Sequence, residues 1–243
     1  MLPKILLLMD YDGTLTPIVD RPELAVLSDD VRDVLKQTSK RYPTAIISGR
    51  SLKDIKNMVK VKEIYYAGNH GFEISGPEIE LIKDEAKLAK PVILKICNEL
   101  QEKLSHMNGA IVENKGLTAS VHYRLVSKND FPELKKVFEE LTKPYLERGD
   151  IKITSGKKVF EIRPNVDWDK GRAVLWIMNA LNIKDGLAIY MGDDKTDEDA
   201  FLALKNKGIT ILISERTKKS NAKYFLRDVS DVKAFLGRLI SLS

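Results

Sequence analysis

Five apolar residues, Ile5 to Met9, run without alternation straight into Asp10-Tyr11-Asp12-Gly13-Thr14-Leu15-Thr16-Pro17. A short aliphatic run of this kind suits a strand buried on both faces of a parallel sheet. It ends in two carboxylates at i and i+2, and Gly13 then permits a sharp backbone turn. In open α/β sheets the reactive groups gather beyond the carboxyl ends of the strands. A carboxylate placed there can attack phosphorus while a second one nearby carries the proton. The plainer reading is an acidic loop after a core strand, and Gly-Thr-Leu-Thr-Pro directly after the pair argues against it. A calcium loop fits poorly, since that loop needs its glycine at the sixth position and an acidic ligand at the twelfth, where this chain has Arg21.

The rest of the chain repeats the strand-and-loop pattern. Thr44-Ala45-Ile46-Ile47 predicts a second buried strand ending in Ser48-Gly49-Arg50, and Ile64-Tyr65-Tyr66-Ala67 a third ending in Gly68-Asn69-His70-Gly71. Ser28 is placed to cap the intervening helix, with Asp29 and Asp30 at its positive end. From about Asp84 to Pro164 the rhythm changes to a long amphipathic helix near 85–104, strands around the Asn114-Lys115-Gly116 turn, a helix after Asp130, and strands flanking Ser155-Gly156-Lys157. From Lys170 the βα rhythm returns, with a helix over 171–181, strands over 187–191 and 209–213, and a last helix near 232–240. This order predicts an α/β, doubly wound parallel-sheet core built from 1–83 and 165–243, with an α+β unit inserted at 84–164.

Composition narrows the function. The 243 residues are 43% hydrophobic and 31% charged, ordinary for a globular protein, and no apolar run is long enough to cross a bilayer. The N-terminal run lacks the form of a secretory signal. The single cysteine, Cys97, lies in an apolar helical pattern with Ile93, Ile96 and Leu100, so it reads as a core residue in a cytoplasmic chain. One cysteine and three histidines make a poor zinc set. The net charge of +5 comes from dispersed lysines, with Lys218-Lys219 only a short cluster and no interleaving of basic and aromatic residues. It favours small anionic ligands over nucleic acid, and a monomer with neither nucleic-acid nor membrane partner is the expectation.

The chemistry-bearing residues fall at predicted element ends. The fourth core strand ends Met191-Gly192-Asp193-Asp194-Lys195-Thr196-Asp197-Glu198-Asp199. So many carboxylates need a cation or helix N–H groups nearby; Asp197, Glu198 and Asp199 suit capping of the next helix, whereas Asp193 sits at the strand end as Asp10 and Asp12 do. Asp10, Asp12 and Asp193 make a hard oxygen set suited to Mg²⁺. Ser48 offers a hydroxyl to a phosphoryl oxygen. Lys170 opens a helix, where a positive charge opposes the helix dipole and so calls for another reason.

Asp10 with Asp12, then Ser48, Lys170, and Asp193 with Asp194 match, in order, the four motifs of haloacid dehalogenase-like phosphatases. More narrowly, Asp-Tyr-Asp-Gly-Thr-Leu-Thr-Pro, Ala67-Gly68-Asn69-His70-Gly71-Phe72-Glu73, Val112-Glu113-Asn114-Lys115-Gly116 through His122-Tyr123-Arg124, and Gly192-Asp193-Asp194 through Phe201 resemble the trehalose-6-phosphate phosphatases over nearly the whole chain. The resemblance implies a Rossmann-like core, a mobile cap, Mg²⁺ dependence and a two-step phosphoryl transfer. In it Asp10 attacks phosphorus, Asp12 protonates the leaving oxygen and then activates water, and Ser48 and Lys170 hold the phosphoryl group. Asp10, the backbone carbonyl of Asp12 and Asp193 hold the metal, with Asp194 or Asp197 orienting its waters. Strand alternation would place Thr118, Ser120, His122 and Arg124 on one face of the insert, and Lys157, Glu161 and Arg163 on one face of another strand. Such a surface suits sugar hydroxyls. Lys115 and Glu161 are the leading candidates there, with His122 and Arg124; Arg50, Asn69 and His70 are candidates from the core side. His106 reads as a surface residue. The rivals are the same chemistry on sucrose 6-phosphate or mannosyl-3-phosphoglycerate, a phosphotransferase, and a non-catalytic sugar-phosphate-binding module.

Overall fold

The computed structural model describes residues 4–183, 186–216 and 218–241. They form two compact units, one from the residues up to Leu81 together with those from Trp168 onward, the other from Ile82–Asp167. The second unit is slightly wider than the expected 84–164.

The first unit opens with β1 (Ile5–Met9), α1 (Asp29–Ser39), β2 (Thr44–Ile47), α2 (Leu52–Val59) and β3 (Tyr65–Gly68), then the strands β4 (Glu73–Gly76) and β5 (Ile79–Ile82). The second unit holds α3 (Asp84–Leu104), β6 (Ile111–Asn114), β7 (Ala119–His122), α4 (Phe131–Glu147), β8 (Ile151–Gly156) and β9 (Val159–Pro164). The first then resumes with α5 (Lys170–Ala180), β10 (Leu187–Gly192), α6 (Glu198–Ala203), β11 (Gly208–Ile213), β12 (Tyr224–Leu226) and α7 (Val229–Ser241). Among the described residues no helix is long and apolar enough to cross a membrane.

The core sheet runs β12-β11-β10-β1-β2-β3-β4-β5 and is parallel from β12 through β3. Its aliphatic strands are covered on both sides, as parallel sheets require. From β1, Leu7 and Met9 pack with Val31 and Leu35 of α1, Ile55 and Val59 of α2, and Val232 and Leu236 of α7. Leu6 and Leu8 face the other way, onto Ala173, Val174 and Ile177 of α5 and Phe201 of α6. The chain leaves β1 toward β2 on one side and returns as β10 on the other, so the crossover direction reverses at β1. That reversal opens a crevice at the carboxyl ends of β1, β2 and β10.

Two parts of this sheet escape the sequence reading. The β4 and β5 strands have only four residues each, and Ile74 is the one fully buried side chain in them. Strand β12 has three residues, with Tyr224 and Phe225 exposed, so nothing alternates. Ser28 does precede α1 in extended conformation, yet its hydroxyl makes no capping bond; the side chain of Asp30 accepts from the Val31 N–H instead.

In the second unit the antiparallel sheet runs β6-β7-β9-β8. One face carries Ala119, Val121 and Ile162 against Ile93, Ile96, Cys97 and Leu100 of α3 and Leu134 and Phe138 of α4. Cys97 is therefore a core residue, and burial raises its thiol pKa.

Candidate active site

Asp10 follows β1 directly, its N–H bonded to the Met191 carbonyl of β10 at 2.9 Å. The chain then turns tightly: the N–H groups of Leu15 and Thr16 both donate to the Tyr11 carbonyl, and Gly13 adopts φ +89°. Glycine is required here for space as well as for φ, because a Cβ on Gly13 would lie 2.1 Å from Asp193 Oδ2. The carboxylates of Asp10 and Asp193 are thus brought together by a residue that has no side chain.

Lys170, the first residue of α5, reaches this point from the far end of the chain. Its Nζ donates at 2.7 Å to Asp10 Oδ1 and at 2.7 Å to Asp197 Oδ1. Asp197 is wholly buried and is the hub of the group. Its Oδ1 also accepts from the Tyr190 hydroxyl at 2.7 Å, and its Oδ2 accepts from the N–H groups of Asp193 and Asp194, each at 2.9 Å. Burial would push the Lys170 ammonium down, but Asp10 and Asp197 outweigh it and hold its pKa well above the usual lysine range. Burial pushes the Asp10 carboxyl well up, opposed by Lys170 and reinforced by Asp197 and Asp193. Asp10 rises chiefly because it is buried, and Lys170 because carboxylates share its single buried ammonium.

Oxygens of Asp10, Asp193 and Asp197 all lie within 4.8 Å of one another. A buried, oxygen-only, negatively overloaded set fits a hard divalent cation. Asp197, which the sequence pattern assigned to helix capping, joins this set. The Asp12 carboxylate does not, since Arg50 grips it with Nη2 at 2.7 Å to Oδ1 and Nε at 2.8 Å to Oδ2.

Arg50 is itself nearly buried, and it also donates to Asp54 Oδ2 at 3.1 Å and to the Pro22 carbonyl at 2.8 Å. Its visible work is therefore to hold Asp12. Ser48, at the end of β2, accepts from the Arg50 N–H at 3.1 Å and keeps its own hydroxyl proton to donate. Asn69 and His70 are buried in the loop after β3, where their N–H groups donate to the carbonyls of Arg50 and Ser48. The Asn69 amide donates to Glu73 at 2.7 Å. Both residues join the β2 and β3 loops.

The second unit gathers a separate polar row. Register places Glu113 of β6 beside Ser120 of β7, Ser120 beside Glu161 of β9, and Glu161 beside Thr154 of β8. Lys115 Nζ lies 3.8 Å from Glu113 and 3.7 Å from Glu161, and its side chain is only 7% exposed. His122 Nε2 meets Glu113 Oε2 at 2.9 Å. The buried Ser120 hydroxyl has no hydrogen-bond partner among the described residues. Lys115, Glu161 and His122 therefore sit together, and Glu113 joins them. Arg124 does not: β7 ends at His122, the chain turns, and Arg124 donates to the Lys157 carbonyl. Lys157 lies in the turn between β8 and β9, outside both strands. His106 is exposed and pairs with Glu133.

Residues 8–230 match the family model described as Trehalose-phosphatase. The chain is 41% identical over 251 residues to trehalose-phosphate phosphatase B of Arabidopsis thaliana, covering 98% of this chain and 66% of that one. It is 39% identical over 264 residues to a probable trehalose-phosphate phosphatase of Oryza sativa subsp. japonica, covering 98% and 68%. The chain thus spans about two thirds of the length of these relatives. Among solved structures, the C-terminal domain of C. albicans trehalose-6-phosphate phosphatase superposes with a TM-score of 0.82 at 25% identity, covering 99% of this chain and 94% of that one. A Bacteroides thetaiotaomicron haloacid dehalogenase-like hydrolase shares the fold, with a TM-score of 0.66 at 15% identity, covering 97% and 99%. With the Asp10 loop, the buried lysine and the acidic turn assembled on such a sheet, the chain belongs to the trehalose-phosphatase family, phosphoric monoester hydrolases of haloacid dehalogenase-like fold.

Proposed function

We propose that this chain hydrolyses trehalose 6-phosphate to trehalose and phosphate through an aspartyl-phosphate on Asp10. The observation that carries this reading is the Asp10 carboxylate at the end of β1, charge-paired with Lys170 and packed beside Asp193 and Asp197. In the first step an Asp10 oxygen attacks phosphorus and the P–O bond to the sugar breaks. Asp12 gives its proton to the departing sugar oxygen, after its carboxyl group turns out of the Arg50 grip. In the second step Asp12 takes a proton from water, which attacks phosphorus and returns Asp10 as a free carboxylate. Lys170 and the Ser48 hydroxyl hold phosphoryl oxygens throughout, and most of the catalysis comes from this placement and charge balance.

Asp10 and Asp193, with the Asp12 carbonyl, would hold a Mg²⁺ ion, while Asp197, whose oxygens already accept from Lys170, Tyr190 and two backbone N–H groups, would add negative charge beside it. Bound there, it would neutralise the excess carboxylate charge and polarise the phosphoryl group. The second unit would act as the sugar-binding cap. Glu113 and Glu161 would accept from sugar hydroxyls, while Lys115, His122 and Ser120 would meet their oxygens.

The test is phosphate release from trehalose 6-phosphate, sucrose 6-phosphate and glucose 6-phosphate, with Mg²⁺ and with EDTA, in the wild type and Asp10→Asn. A large kcat/KM preference for trehalose 6-phosphate, lost with EDTA and in Asp10→Asn, is expected. Preference for another substrate would discard the sugar assignment alone, and turnover by Asp10→Asn would discard the nucleophile.

A further inference from the structure

The Lys218-Lys219 pair lies in the loop between β11 and β12, remote in sequence from every motif above. Lys218 Nζ nevertheless donates at 2.7 Å to the main-chain carbonyl of Asp193. Asp193 is thereby held at three points by three parts of the chain. Its N–H is fixed by Asp197 at 2.9 Å, its carboxylate lies against the bare Cα of Gly13, and its carbonyl is fixed by Lys218.

These contacts differ in what they control. The Asp197 bond sets the start of the Asp193 backbone, and Gly13 leaves the carboxylate room. The peptide leading from Asp193 to Asp194, where β10 has ended and the single turn Lys195–Asp197 has not begun, is held at both its polar atoms: its N–H donates to Asp197 Oδ2 at 2.9 Å, and its carbonyl accepts from Lys218. A rotation of that peptide would swing the Asp193 carboxylate relative to Asp10 and Asp197. A charged donor on a carbonyl makes a stronger bond than a neutral one, and here it also adds positive potential beside an acid-rich site.

We propose that Lys218 is a positioning residue: by fixing the Asp193 peptide it keeps that carboxylate in register with Asp10 and Asp197 for a divalent cation. The inference rests on the phosphatase reading and adds to it a residue outside the motifs. Groups that orient a metal ligand commonly change metal affinity by about tenfold or more when removed.

The experiment compares wild type, Lys218→Met, Lys218→Arg and the neighbouring control Lys219→Met. Melting temperature is followed against Mg²⁺ concentration without substrate, and phosphate release against Mg²⁺ with substrate saturating. Lys218→Met should raise the half-saturating Mg²⁺ about tenfold in both readouts. KM for the sugar phosphate at saturating Mg²⁺ should not change, nor the melting temperature in EDTA. Lys218→Arg, which retains a charged donor, should recover most of the affinity, and Lys219→Met should match wild type. Wild-type Mg²⁺ affinity in Lys218→Met would overturn the proposal. So would a fall in melting temperature equal in EDTA and in Mg²⁺, which would make the bond a matter of loop stability. A wild type that neither gains stability from Mg²⁺ nor releases phosphate would instead bring down the phosphatase reading.

Discussion

Asp193 rests its carboxylate on Gly13, so closely that a methyl group there would come within 2.1 Å of Oδ2. The contact joins the loop after β1 to the turn after β10 and sets the spacing of two carboxylates that belong to different strands. Gly13→Ala must either displace Asp193 or abandon φ +89°, and both moves disturb Asp10. We expect kcat/KM to fall by roughly a hundredfold or more, equivalent to about 2.7 kcal/mol of transition-state stabilisation. Steady-state kinetics with a melting curve checks this, and a wild-type rate would show that the close packing is dispensable.

Asp197→Asn tests the hub. The amide can accept at one atom only, whereas Asp197 now receives Lys170 and Tyr190 on one oxygen and two backbone N–H groups on the other. Breaking a buried pair and leaving its partner uncompensated costs on the order of 3–5 kcal/mol. The retained Asp10–Lys170 bond places the expectation at the lower end of that range. Urea unfolding should show the loss, with kcat reduced as Lys170 is pulled toward Asp10 alone; unchanged stability would contradict the hub role.

For the second unit, Lys115→Met removes the ammonium between Glu113 and Glu161. A hydrogen bond to a charged group is worth about 1.5–3 kcal/mol, so KM for trehalose 6-phosphate should rise roughly tenfold or more while kcat changes less. Glucose 6-phosphate, lacking the second sugar ring, should respond less. An equal loss for both substrates would move Lys115 out of sugar recognition.

Acid should release a surface clasp at the start of α7. Hydrogen bonds from the Arg227 side chain and N–H pull the Asp231 carboxyl down to about 2. A carboxylate whose pKa is lowered on folding stabilises above its unfolded value of about 3.9 and loses that contribution as pH falls through the folded value. Asp231→Asn should therefore melt slightly below wild type at neutral pH, and the difference should close between about pH 4 and pH 2. A constant difference across that range would point to packing in place of charge.

What could be read directly from the residues is what depends on local pattern. Unbroken apolar runs locate β1, β2, β10 and β11, and the candidate site residues follow the first three of them. Asp197 is harder to find, because an acid at a helix start looks like a cap whether it faces water or a buried lysine; the signal lay in Lys170, whose position against the helix dipole demanded a partner. Arg50 and Asp12 are 38 residues apart, so their pairing depends on β1 and β2 lying side by side. Alternation puts Ser120 and His122 on one face, but joining Glu113, Ser120 and Glu161 into one polar row needs the register of three strands. Lys218 carries no local signal at all.

The pairing of Lys170 with Asp10 spans 160 positions of the chain, with the whole second unit between them. During synthesis Asp10 therefore emerges from the ribosome long before Lys170, and β1 must wait for β10 to complete the centre of its sheet. Loop closure over such a distance is slow, whereas the insert builds its core from contacts within its own span. The insert should consequently be folded first, as a spacer that shortens the search between the two halves of the core. The buried Asp10–Lys170 pair then closes only when the two halves of the core meet, so no nascent fragment lacking Lys170 carries it.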